Sequence, residues 1–317
     1  RDLHPRVRRL RQMCIRDRNN RLNVNLDYYD KLTDPLLAAV SVPSSVGSKR
    51  VMTNVGSQRT QGVSGTVKYS PVYHPEERIN WTLSASFKHQ KAKYEDIGNS
   101  LDQFNKENLN TSLVRYYDGG SPTALWAVRS LGINPSDGRE LFLTKEGTYT
   151  FEYDTEDEVV VGNSEPKLEG VLGSTLYWKG FSFSLYFRYS LGADVFTEAT
   201  YNKVENISLA GLKSNQDKRA LHDRWQKPGD HAKFKGISLT ETTPISSRFV
   251  LRENYIKAES ISVGYDFESQ AVQKLGIQSL RLQANTTDLF RISSIKEERG
   301  IEYPFARSFS FSLSAMF

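Results

Sequence analysis

The sequence is nearly without cysteine. Cys14 stands alone among 317 residues, so no disulfide can form within the chain, and a module held together by internal disulfides is excluded. It has no run of 18 apolar residues, which excludes a transmembrane helix. The five histidines, His4, His74, His89, His222 and His231, show no metal-binding spacing, and no Gly-x-Ser-x-Gly, phosphate loop or dinucleotide fingerprint appears. Catalysis has no residues to stand on, so neither an enzyme nor a bound cofactor or metal is expected. The acidic group Asp154, Glu156, Asp157 and Glu158 lacks the glycine punctuation of a calcium loop and reads as a solvated acidic loop.

Charge of one sign is scarce as well. The formal +5 sits wholly in residues 1–18, where seven arginines face two aspartates. The rest of the chain carries 35 basic and 35 acidic residues, so a nucleic-acid partner is not expected. Residues 1–19 read as a basic tail that fits neither strand nor amphipathic helix. Met13–Arg18 resembles translated adapter sequence, which marks the tail as not native; a basic arm for acidic partners is the alternative. An export signal needs an apolar segment that this tail lacks, so an exported protein would have its start outside this sequence.

What the chain does have is alternation. From Phe181 to Leu191, Phe181, Phe183, Leu185, Phe187, Tyr189 and Leu191 alternate with Ser182, Ser184, Tyr186, Arg188 and Ser190. That is period two, the period of a strand with one apolar and one polar face. Leu168–Trp178 precedes it, and Lys179-Gly180 marks a tight hairpin turn. The pattern recurs at Ile79–Lys88 and Ser308–Phe317. A mean hydropathy of -0.53 is no obstacle to a membrane, because a barrel strand spans it in ~9–11 tilted residues of which every second is apolar.

Eight strands are expected from Asn20 onward. Long connections, about residues 31–59, 92–167, 192–255 and 289–307, follow the odd strands, and short turns, the last at residues 268–279, follow the even ones; within 92–167, residues 134–138 and Glu146-Gly147 carry hairpin-turn signals of their own. An up-and-down meander then collects every long loop at one end, as outer-membrane barrels do. Tyr69, Tyr177, Trp178, Tyr265, Phe267 and Phe317 fall at the short-turn ends, where an aromatic girdle is expected.

Several ordered pieces resemble the C-terminal barrel portion of SusC-like TonB-dependent outer-membrane transporters. They are Asn20–Lys31 with Asn54-Val-Gly56 and Gly62-Val63, Ala124–Gly138 with Glu140–Gly147, Gly162-Asn163, Pro166-Lys167, Asn254–Tyr265 and Tyr303-Pro304. The resemblance implies an all-β, antiparallel up-and-down transmembrane barrel, residues 20–317 being part of a wall of about 22 strands around a plug. It implies location in the bacterial outer membrane, TonB-dependent uptake of an oligosaccharide or peptide, a SusD-like surface lipoprotein as partner, and contact with the TonB complex through a region preceding this chain.

On that reading Ser182, Ser184, Arg188, Ser310 and Ser312 face the lumen, and Phe183, Leu185, Phe187, Phe311 and Leu313 face lipid. Phe317 would complete a terminal assembly signal. Tyr116, Tyr117, Trp126 and Trp225, set among polar loop residues, are the candidates for contacting substrate. The rivals are a self-closed small barrel serving as adhesin or anchor, and a soluble sugar-binding sandwich whose apolar faces would have to meet each other.

Overall fold

The computed structural model describes residues 6–16, 21–42, 45, 47–48, 50–98, 101–209, 211–213, 215–238, 240–267, 276–296 and 307–316. The strands, in chain order, are β1 (Arg6–Arg16), β2 (Leu22–Thr33), β3 (Leu37–Ser41), β4 (Arg50–Asn54), β5 (Ser57–His74), β6 (Ile79–Glu95), β7 (Ala124–Ile133) and β8 (Glu140–Leu143). They continue with β9 (Tyr149–Thr150), β10 (Glu158–Asn163), β11 (Leu168–Trp178), β12 (Phe181–Phe196), β13 (Val250–Phe267), β14 (Ser279–Thr287), β15 (Arg291–Ser293) and β16 (Phe309–Met316). No described helix is long and apolar enough to cross a membrane.

The β11–β12 hairpin shows why the alternation is read correctly. Lys179 and Gly180 take φ values of 46° and 95°, the paired positive angles of a two-residue turn whose twist matches the flanking strands. Such a turn fixes the register, here from Trp178 opposite Phe181 to Leu168 opposite Leu191. The same antiparallel logic repeats along one meander, β1-β2-β5-β6-β11-β12-β13-β14-β16, with β15 added beside β13. Every strand pairs with its predecessor on this path, so the long excursions lie at one end and the turns at the other.

Register carries the two faces across the whole sheet. Leu185 lies opposite Ser174 and Ile261, Phe187 opposite Leu172 and Ala258, and Ala284 opposite Val263 and Phe311. On the other face, Ser184 lies opposite Thr175 and Ser262, Gln283 opposite Gly264 and Ser312, and Asn285 opposite Ser262 and Ser310. A single slip would exchange the rows. The bulge at Glu259 in β13, between the pairs Tyr186–Ser260 and Phe187–Ala258, lets Arg188 reach Glu259 at 2.7 Å.

Among the described residues no core lies under this sheet. Phe183 is 37% exposed, Val263 46% and Phe311 78%, whereas all three clusters of buried apolar residues sit among the long connections. A soluble sandwich would have covered that apolar face with a second sheet. The self-closed small barrel fails as well: among the described residues β1 pairs only with β2 and β16 only with β14, so the sheet is open.

Two expectations change. Arg6–Arg16 is a strand, paired antiparallel with β2 from Arg6 opposite Leu32 to Arg16 opposite Asn23. The free edge of β2 offers backbone donors and acceptors that any proline-free segment can meet, whatever its side-chain pattern. Tyr177 leaves the aromatic girdle: it pairs with Ser182 on the polar face, and its hydroxyl donates to Asp266 at 3.4 Å. The apolar-face rings do meet at the turn end, Phe181 lying 4.5 Å from Tyr265, and Tyr265 4.7 Å from Phe267. Residues 268–275 of the short turn expected at residues 268–279, the Tyr303-Pro304 element and Phe317 lie outside the described residues.

Close strand approach depends on glycine at Gly170. Tyr189 lies over it, its hydroxyl donating to the Ser86 carbonyl at 2.9 Å, and a Cβ on Gly170 would run into that carbonyl and the phenol. Gly170→Ala is expected to destabilise the folded wall by about 1–3 kcal/mol through this overpacking. Denaturant midpoints of the folded protein provide the check; an unchanged midpoint would show that the strands separate freely there.

Candidate binding site

The long connections build a structure of their own above the sheet. Strands β10, β7, β8 and β9 form a four-stranded sheet, and a short helix, α1, spans Asp102–Glu107. The turn expected at residues 134–138 joins β7 to β8, with Gly138 N–H donating to Asn134 O at 2.8 Å. The turn expected at Glu146-Gly147 joins β8 to β9, with Gly147 N–H donating to Thr144 O at 3.1 Å.

Buried charge ties these pieces together. The Arg115 side chain, 1% exposed, forks onto both Glu158 oxygens at 2.9 and 2.8 Å and also donates to the carbonyls of Ser112 and Val114. Arg248 does the same between two excursions, reaching Glu140 and Glu205 at 3.0 Å each. Burial works against its charge, but the bonds to Glu205 and Glu140 outweigh that and hold the guanidinium pKa above its ordinary value. Tyr153 packs edge-on against Phe142 and donates to Ile245 O at 3.1 Å; burial pushes its phenol up, with Glu158 adding to the effect.

Between α1, the Thr144–Thr148 turn and the acidic loop lies an open cleft of about 1160 Å³. Tyr117 and Trp126 line it together, ring centroids 5.1 Å apart and tilted by 53°. Of the four aromatic candidates, these two are brought into one site. Tyr116 packs instead beside Tyr94 and Phe104, its backbone held by Asn105. Trp225 covers Gly138 and donates its indole N–H to Pro135 O at 3.0 Å, bracing the β7–β8 turn.

The acidic loop has structural partners of its own. Asp154 Oδ1 accepts from Glu156 N–H and Asp157 Oδ1 from Lys145 N–H, each at 2.9 Å, while Glu158 is bound by Arg115. Among the described residues no group of three or more histidine, cysteine or carboxylate side chains could hold a metal. The sequence reading missed Asp102, Lys106, Lys145 and Glu146 as cleft residues. The i, i+4 spacing of Asp102 and Lys106 was a signal, but only the fold brings that pair opposite Lys145 and Glu146.

The polar face of the main sheet is a second collection of functional groups. Lys88 pairs with Glu169 at 3.1 Å, and Arg188 with Glu259, which Lys257 also approaches at 3.7 Å. Arg281 reaches Ser182, and Gln283 donates to Ser262. Ser182, Ser184, Arg188, Ser310 and Ser312 share this face; Phe183, Leu185, Phe187, Phe311 and Leu313 share the other.

No protein-family model matches the chain. Several receptors do, two of them as follows. TonB-dependent receptor P39 of Formosa agariphila is 23% identical over 324 residues, covering 86% of this chain and 30% of that protein. TonB-dependent receptor SusC of Bacteroides thetaiotaomicron is 23% identical over 323 residues, covering 94% of this chain and 30% of that protein. The chain is similar to TonB-dependent receptors over most of its own length. The chain spans 30% of the length of either receptor.

Solved structures agree on the fold. The RagAB peptide importer in its closed-closed state superposes with a TM-score of 0.75 at 18% identity, over 95% of this chain and 34% of that one. The open-open state gives 0.75 at 18% identity, over 96% and 34%. The proteins that the chain resembles are named as receptors and as a peptide importer rather than as enzymes.

Proposed function

We propose that the chain is the C-terminal part of the barrel wall of a TonB-dependent transporter, which takes an oligomeric nutrient, a glycan or a peptide, across the bacterial outer membrane. The observation that carries this reading is the register-locked sheet with an uncovered apolar face on one side and an ion-paired, hydroxyl-rich face on the other. Lipid is the solvent that favours the first face, and a water-filled lumen the second. Ser182, Ser184, Arg188, Ser310 and Ser312 line the lumen in this reading, while Phe183, Leu185, Phe187, Phe311 and Leu313 meet acyl chains.

Substrate binds at the long extracellular loops, the plug is displaced under TonB, and the cargo passes down the polar lumen. A SusD-like lipoprotein covers the loop end, a role suggested by the relation to SusC and by the likeness to RagAB. Deleting the whole gene from the source organism is expected to abolish growth on one class of oligomer as sole nutrient, with recovery on complementation. Unimpaired growth of the deletion strain on every glycan and peptide tested would sink the uptake reading.

A further inference from the structure

The cleft at Tyr117 and Trp126 holds charge that the protein itself leaves unanswered. Asp157 and Glu158 are engaged by Lys145 N–H and Arg115, but the side chains of Asp102, Glu146 and Glu156, and those of Lys106 and Lys145, have no hydrogen-bond or ion-pair partner among the described residues. All five are exposed at the cleft wall. Charges of both signs thus surround an aromatic pair in one concave space; these five groups hold one more carboxylate than ammonium, and Asp157, bonded by a neutral backbone N–H, adds another negative charge.

The lining discriminates among oligomers. A neutral glycan would hydrogen-bond to these groups and stack on a ring but would neutralise none of them. A polyanion would meet the surplus of carboxylates. A peptide offers ammonium or guanidinium groups to Asp102, Glu146 and Glu156, carboxylates to Lys106 and Lys145, and a side chain to the indole and phenol, where a cation gains further from the ring faces. The 53° tilt between the rings makes a notch suited to a side chain rather than a flat platform for a pyranose. We propose that this cleft binds peptides of mixed charge, with a preference for a net positive one, through Tyr117, Trp126 and these five charged groups.

The inference deepens the uptake reading by naming the substrate class at the loops, but its test needs no transport. The parent protein in detergent micelles is titrated calorimetrically with an octapeptide containing two lysines and one glutamate, with its charge-reversed counterpart, and with maltohexaose. Expected are binding of the cationic octapeptide that weakens as salt rises, at least tenfold loss in Trp126→Ala, and a switch of preference to the charge-reversed peptide in the double variant Glu146→Lys/Glu156→Lys.

Heat-modifiable migration of each variant confirms that it is folded. Peptide binding indifferent to all three substitutions overturns the cleft assignment. Maltohexaose binding lost in Trp126→Ala overturns the peptide class, and no binding of any probe overturns the site. None of these results touches the growth phenotype of the gene deletion, so the two readings fail separately.

Discussion

Leu185→Arg in the parent protein is expected to lose about 2–4 kcal/mol of folding stability in lipid bilayers, while Ser184→Arg one position away loses far less. The two residues are neighbours on β12 and differ only in face. Leu185 stands between Ser174 and Ile261 in the apolar row, Ser184 between Thr175 and Ser262 in the polar one. Leu185 lies four residue steps along β12 from Phe181 at the turn end. At ~3.3 Å per residue and a tilt of ~45°, that puts it roughly 9 Å into an apolar band ~25 Å tall, close to the depth where a charge costs most. Urea titrations of both variants refolded into vesicles give the comparison. Equal losses would mean that the apolar face does not meet lipid.

Arg248→Met is expected to destabilise the loop structure by about 3–5 kcal/mol, because it strands two buried carboxylates. Glu140 and Glu205 have side chains 1% and 0% exposed, and Arg248 is the cation that bridges them. Their other hydrogen-bond partners, Ser246 to Glu140 at 2.7 Å and Thr243 to Glu205 at 3.0 Å, are neutral hydroxyls, and Arg224 acts on the Glu205 carboxylate only through space. Hydrogen exchange should accelerate in β7, β8 and residues 198–205 while protection of β11 to β13 stays as it was. Adding Glu140→Gln and Glu205→Gln to the variant should recover part of the loss, since the deficit belongs to unpaired charge rather than to a missing methylene stem. Failure of that rescue would assign the effect to packing of the Arg248 side chain over Phe249, whose ring it covers at 4.5 Å.

The strands were legible because a half-polar wall writes its faces at period two, and because Lys179-Gly180 sets one hairpin register locally. The turns at residues 134–138 and at Gly147 were legible for the same reason: glycine and proline announce local geometry. The β1 strand was not, because its pairing draws on the free backbone edge of β2 and leaves no side-chain period. Tyr177 was misassigned to the girdle because proximity to a turn says nothing about face until the register is counted from Lys179-Gly180. Which loop aromatics line a cleft was not legible: an aromatic loop residue looks the same in sequence whether it lines a cleft, as Trp126 does, or braces a turn, as Trp225 does.

The sequence by itself determined the antiparallel wall, its two faces and the segregation of long loops from short turns, all of which follow from contacts between near neighbours and from backbone geometry. The tertiary structure decided that the apolar face stays uncovered, that the buried core lies in the loops instead, and that Asp102, Lys106, Lys145, Glu146 and Glu156 converge on Tyr117 and Trp126. Those outcomes depend on chain segments tens of residues apart meeting through Arg115 and Arg248, and long-range meetings of that kind leave no period in a sequence.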